Sequence, residues 1–111
     1  MDERLFRDRA AAIYKAVIAR LDREDPDVIE AEMSAGVVRI RSRTGSVYVL
    51  NIQPPLREVW YAAGDRAWHF AFDAAKQMWI DPRNGDDLTM VLNTTLSAVA
   101  GLPLTFALPV T

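Results

Sequence analysis

The sequence holds no cysteine and a single histidine in 111 residues. Without a thiol there is no disulfide scaffold, no thiolate zinc site, no Cys-ligated iron–sulfur cluster and no Cys nucleophile. Excess charge is missing as well. Lys and Arg number 13 against 15 Asp and Glu, a net charge of -2 that gives no strong positive field for a nucleic-acid partner. Long apolar runs are also lacking. Met1-Asp2-Glu3-Arg4 leads into a mixed-charge segment with no apolar signal core. Residues 98–110 are apolar but short and broken by Pro103 and Pro109, which is not a membrane span. No nucleophile–base pair, Gly-rich phosphate loop or metal-ligand motif is present, so conventional catalysis is not expected. What remains is a cytoplasmic monomer that meets neither nucleic acid nor membrane.

What is there is an ordinary globular balance, 50% hydrophobic and 25% charged, in a chain long enough for one domain over residues 1–111 and too short for two. From about Glu3 to Asp22, Phe6, Ala10, Ile13, Tyr14, Val17 and Leu21 recur at intervals of three and four, one apolar stripe of a helix. That helix is expected to stop around Arg23 or Glu24, because Pro26 disfavours helical geometry in the residue before it. Short β-branched and aromatic runs follow at 28–33, 37–42, 46–53, 58–63, 67–72 and 77–80, separated by turn residues. Connections this short favour antiparallel neighbours. Asp86 or Asp87 can cap a second helix whose inward face is Leu88, Val91, Leu92, Thr95, Leu96 and Val99, and Gly101 ends it. The tail at 102–111 carries Leu104, Phe106 and Leu108 at alternate positions, the pattern of an extended strip against the helices. The fold class is therefore α+β: a two-layer sandwich with two terminal helices on one face of an antiparallel sheet of about six strands.

Two places invite a functional reading. Asp22, Glu24, Asp25, Asp27, Glu30 and Glu32 gather six carboxylates against one base, Arg23. Asp22, Glu24 and Asp25 fall at the C-terminal end of the first helix, where the macrodipole makes each cost about 0.3–1 kcal/mol at low salt. On the following strand Glu30 and Glu32 share a face with Val28, while Ile29, Ala31 and Met33 point inward. Carboxylate oxygens suit a hard cation, but the spacing is no preformed cage, so a site here is shallow, solvated and weak. A solvated acidic turn without a ligand and a docking face for a basic partner fit the same charges. Elsewhere, if Leu50 and Ile52 face the core, then Asn51 and Gln53 face out, and the same parity turns Val59 and Tyr61 inward and Trp60 outward. An outward indole beside two amides fits a binding surface; an indole simply in the core is the plainer alternative. Arg39 and Arg41 alternate on this open side with Arg43 in the turn, as solubilising charge or as an RNA platform that the overall acidity disfavours. His69 lies opposite Trp68 and Phe70 and is read as a surface or structural residue, with a supplementary metal role only where acids lie near.

Asn51-Ile52-Gln53-Pro54-Pro55-Leu56-Arg57-Glu58-Val59-Trp60 resembles the signature of the frataxin family. Trp68-His69-Phe70 is similar to the aromatic-His-aromatic step of its bacterial members, and Trp79-Ile80-Asp81 with Asn84-Gly85 to the turn before their last helix. The resemblance runs from Glu3 to Phe106. It implies an accessory protein of iron–sulfur cluster assembly that modulates cysteine desulfurase activity and delivers or senses iron (Fe2+/Fe3+). The acidic cluster would then hold iron weakly and meet the desulfurase, and Asn51, Gln53 and Trp60 would meet the scaffold protein. An interaction module without a metal role is the alternative, and iron oxidation on exposed carboxylates ranks third. Two departures stand out. Ile18, Ala19 and Val28 occupy positions often acidic in the family, with Arg23 interrupting the cluster, and Glu58 stands where Gln is usual.

Overall fold

In the computed structural model, which describes residues 1–109, the chain folds as two helices on one face of a six-stranded antiparallel sheet. The elements are α1 (Glu3–Leu21), β1 (Ile29–Ser34), β2 (Val37–Ser42), β3 (Val47–Gln53), β4 (Glu58–Ala63), β5 (Arg66–Asp73), β6 (Met78–Ile80) and α2 (Leu88–Ala100). A 3-10 turn at Pro54–Leu56 joins β3 to β4. Strand order in the sheet equals strand order in the sequence, β1-β2-β3-β4-β5-β6, as connections too short for a crossover require.

Alternation sorts the strands into two faces. Ile29, Val38, Ile40, Leu50, Val59, Tyr61, Trp68, Phe70 and Trp79 are buried beneath the helices. From above, α1 contributes Phe6, Ala10, Ile13, Tyr14, Val17 and Leu21, the stripe its periodicity announces. From α2 come Leu88, Val91, Leu92, Leu96 and Ala100, with Thr95 and Val99 half-buried at the margin. Thr95 donates to the Val91 carbonyl at 2.8 Å, so the 2.7 Å contact with Tyr61 is one in which the phenol donates. The tail runs back along α2: Leu104 and Phe106 are buried, and Asn93 Oδ1 accepts the Phe106 N–H at 2.8 Å. Leu108 packs partly against the core, whereas Val110 and Thr111, the end of the expected strip, lie outside the described residues.

The boundaries differ from expectation in instructive ways. α1 stops at Leu21, before Arg23, because its last turn tightens: the Arg23 N–H donates to Arg20 O at 3.3 Å and the Glu24 N–H to Leu21 O at 3.0 Å. Asp22 caps the helix, and Glu24 and Asp25 lie in the connection beyond it. Val28 stays out of β1 because its N–H closes a turn on Asp25 O at 2.8 Å. Met33, expected inward, is 58% exposed: it holds the outermost place of the Met33–Val38–Leu50–Tyr61 row, at the sheet edge. Asp87 caps α2, accepting the Met90 N–H at 2.9 Å, while Asp86 accepts the Trp68 indole N–H at 3.0 Å.

Candidate functional site

The six carboxylates named from the sequence run along the β1 edge and the loop leading into it. They differ in what holds them. Glu24 is gripped by Arg20, Nη1 to Oε2 2.7 Å, and Arg20 Nε also donates to Thr105 O at 3.0 Å, so this pair braces the end of α1 against the tail. Asp25 shapes its own loop, accepting the Asp27 N–H at 2.9 Å. Glu30 and Glu32 lie on the open sheet face, directly across from Arg41 and Arg39, with Arg41 Nη1 3.6 Å from Glu30 Oε1. Asp22, Asp27 and Glu32 are exposed and form no ion pair among the described residues. Among those residues no group of three or more His, Cys, Asp or Glu is gathered closely enough to hold a metal ion. The arrangement is a line of mostly exposed carboxylates. Such a line can hold a hard cation through one or two ligands and retained water, or meet a positively charged surface.

The second surface is the uncovered side of the sheet. Register places Val37, Asn51, Trp60 and His69 in one row across β2 to β5, with Gln53, Glu58, Ala71 and Ile80 in the next. Asn51, Gln53 and Trp60 thus share this face, all half-buried, and Trp60 lies outside the core. The indole lies flat on the imidazole of His69, centroids 4.0 Å apart and planes 7° from parallel. Its Nε1 donates to Glu58 Oε1 at 2.9 Å. A shallow cleft beside the stack is lined by Val49, Asn51, Ala62 and Ala67.

Beneath His69 sits a group that sequence reasoning took only for part of a turn. Asp81 has no exposed surface. Its carboxylate accepts the His69 N–H at 3.0 Å and the Arg83 N–H at 2.9 Å, and pairs with the Arg83 guanidinium at 2.8 Å. The Arg83 hydrogen bonds hold its pKa at about 2, outweighing the desolvation that acts the other way. Arg83 Nη2 also reaches Ala67 O at 3.1 Å, so the pair staples the β6 end to β5. The Trp60–His69 pairing was also missed, although a signal for it exists: the two-residue turn Gly64-Asp65 sets Ala63 opposite Arg66, and counting back sets Trp60 opposite His69.

The frataxin-like domain family model matches residues 1–102. The chain belongs to the frataxin-like family. Among its relatives, the iron-sulfur cluster assembly protein CyaY of Paraburkholderia phymatum is 34% identical over 107 residues, covering 96% of this chain and 99% of the relative. The protein of the same name from Variovorax paradoxus is 32% identical, with coverage of 96% and 98%. Among solved structures, the Psychromonas ingrahamii frataxin superposes with a TM-score of 0.84 over 96% of this chain and 99% of that one, at 20% identity, a likeness of fold. A trimeric frataxin of the yeast Saccharomyces cerevisiae, solved complexed with ferrous iron, gives a TM-score of 0.69 at 25% identity, covering 91% and 88%. The frataxin sandwich is the architecture described above. No helix among the described residues is long and apolar enough to cross a membrane.

Proposed function

We propose that this chain is an accessory protein of iron–sulfur cluster assembly, working as a cytoplasmic monomer through two adjoining surfaces. The acidic edge meets the cysteine desulfurase and modulates its activity, and its exposed carboxylates, among Asp22, Glu24, Asp25, Asp27, Glu30 and Glu32, hold iron weakly as cargo or signal. The open face, with Asn51, Gln53 and Trp60, meets the scaffold protein. One observation carries the reading: Trp60 sits on the uncovered face, in one row with Asn51, on the same side of the sheet that presents Glu30 and Glu32 at its β1 edge. The names of the CyaY relatives and the ferrous complex of the yeast protein support the pathway and the cargo.

A desulfurase pull-down and activity assay, with and without iron, tests it on wild type, a Glu30→Gln/Glu32→Gln double variant and Trp60→Ala. The charge variant is expected to lose desulfurase association, and Trp60→Ala to lose the ternary complex while the fold stays nearly as stable. Iron is expected to raise the Tm and to shift amide signals around residues 22–32. Charge removal that alters neither metal uptake nor desulfurase association sinks the reading. A large stability loss in Trp60→Ala would mark the indole as structural. The pairing of Glu24 with Arg20 and of Glu30 with Arg41 fits a second reading, a docking module with no metal role. It predicts full partner binding with no response to iron.

A further inference from the structure

Among the aromatic pairs of the described residues, the tightest lies on the open face. Trp60 and His69 stack at 4.0 Å and 7°, whereas the other pairs stand 5.4 to 6.3 Å apart. A tryptophan on a bare sheet ordinarily samples several rotamers, and a partner must freeze it on binding. Here the indole is restrained from three directions. Its ring lies on the imidazole, its N–H is held by Glu58 at 2.9 Å, and the backbone beneath the imidazole is pinned through the His69 N–H to Asp81 at 3.0 Å. With Nε1 satisfied internally, the partner need supply no acceptor to the indole. What the surface still offers is apolar ring area beside the Val49, Ala62 and Ala67 cleft, with the Asn51 amide at its margin. That combination fits an apolar side chain carried on a segment whose backbone can pair with the amide.

We infer that His69 is a positioning residue for this face: its imidazole holds Trp60 in one preset orientation for a protein partner. The partner clause rests on the function proposed above; the positioning clause does not. Trp68 and Trp79 are only 2% and 4% exposed, so acrylamide quenching of the full chain reads Trp60 selectively. His69→Ala, with His69→Asn as a second stack-free variant, is expected to increase quenching and to weaken scaffold binding roughly 2- to 10-fold, the entropy of one side chain left unfrozen. His69→Phe, which keeps a flat ring, is expected to restore both. Unchanged quenching in the stack-free variants overturns the inference whatever binding does. Altered quenching with unchanged binding, where Trp60→Ala does weaken binding, overturns it too. If Trp60→Ala binds the scaffold like wild type, the proposed function fails and the partner clause with it, while the quenching series still decides the positioning clause.

Discussion

Asp81 occupies a place where charge is normally expelled, and it remains ionised because its partners outweigh the cost of desolvation. Four donors from Arg83 and His69 converge on two oxygens. With the folded carboxyl at about 2 against an ordinary 3.8, its stabilising contribution is complete above about pH 4 and is lost as pH falls toward 2. Asp81→Ala strips the acceptor from two backbone N–H groups and should cost on the order of 2–3 kcal/mol in urea denaturation at pH 7. Asp81→Asn keeps one acceptor oxygen, so it should cost less and show a flatter decline of stability between pH 4 and pH 2 than wild type. An identical acid limb in wild type and Asp81→Asn would place the acid sensitivity elsewhere. Because Asp81 also pins the strand under His69, either variant should loosen the stack on the open face.

At the scale of elements, the attachment of α1 to the sheet rests on more than its apolar stripe. The Tyr14 hydroxyl lies 3.0 Å from Gly36 O and 3.3 Å from Leu50 O, and it accepts the Ile52 N–H at 3.0 Å. Burial raises its pKa, so it stays a donor. One hydroxyl thus ties the helix to the first hairpin and to β3. Tyr14→Phe leaves the Ile52 N–H without its acceptor and should lower stability by about 1–2 kcal/mol, with faster amide exchange at Ile52 as the local signature. At the end of α2, Gly101 adopts φ 73° and an added Cβ would stand 3.1 Å from the Arg43 guanidinium. Gly101→Ala should therefore cost about 1 kcal/mol, read as a lower Tm without loss of fold. Periodicity made both helices and all six strands legible, since a 3.6-residue stripe and a two-residue alternation are properties of the sequence itself. The faces followed from parity, which is why Asn51, Gln53 and Trp60 could be assigned to the open side. Lateral contacts were harder. Whether Glu30 faces Arg41, or Asp81 finds the His69 N–H, depends on register, set by the two-residue turn at 35–36 and the four-residue turn at 74–77, and composition carries little trace of either. The end of α1 falls short of the limit that Pro26 sets from downstream, because the stop is made by the tightening at Arg20 and Leu21.

For the molecule as a whole, a net charge of -2 is small, so what a partner senses is distribution. Exposed charges act over roughly 10 Å at 0.1 M salt, about three residues of extended strand, so each acid of the β1 edge is felt with its near neighbours. If the acidic edge meets the desulfurase as proposed, the affinity should weaken severalfold as salt rises through that range, and the Glu30→Gln/Glu32→Gln variant should show a shallower dependence. A salt-independent affinity would assign the contact to apolar surface instead. The proximity of Arg39 and Arg41 to the strand acids tempers the field there, leaving Asp22 at the helix cap and Asp25 and Asp27 in the loop less compensated, with no ion pair among the described residues.

The meander order of the strands has a consequence for how the molecule comes into being. Each strand pairs with its immediate predecessor, so the sheet can zip up hairpin by hairpin with little loop-closure entropy, which favours rapid folding. Yet the apolar underside of that sheet needs α2, which follows every strand in the chain. During synthesis the half-built protein therefore carries a sticky, helix-less flank until its final third emerges, and that interval is when a chaperone has the most to protect.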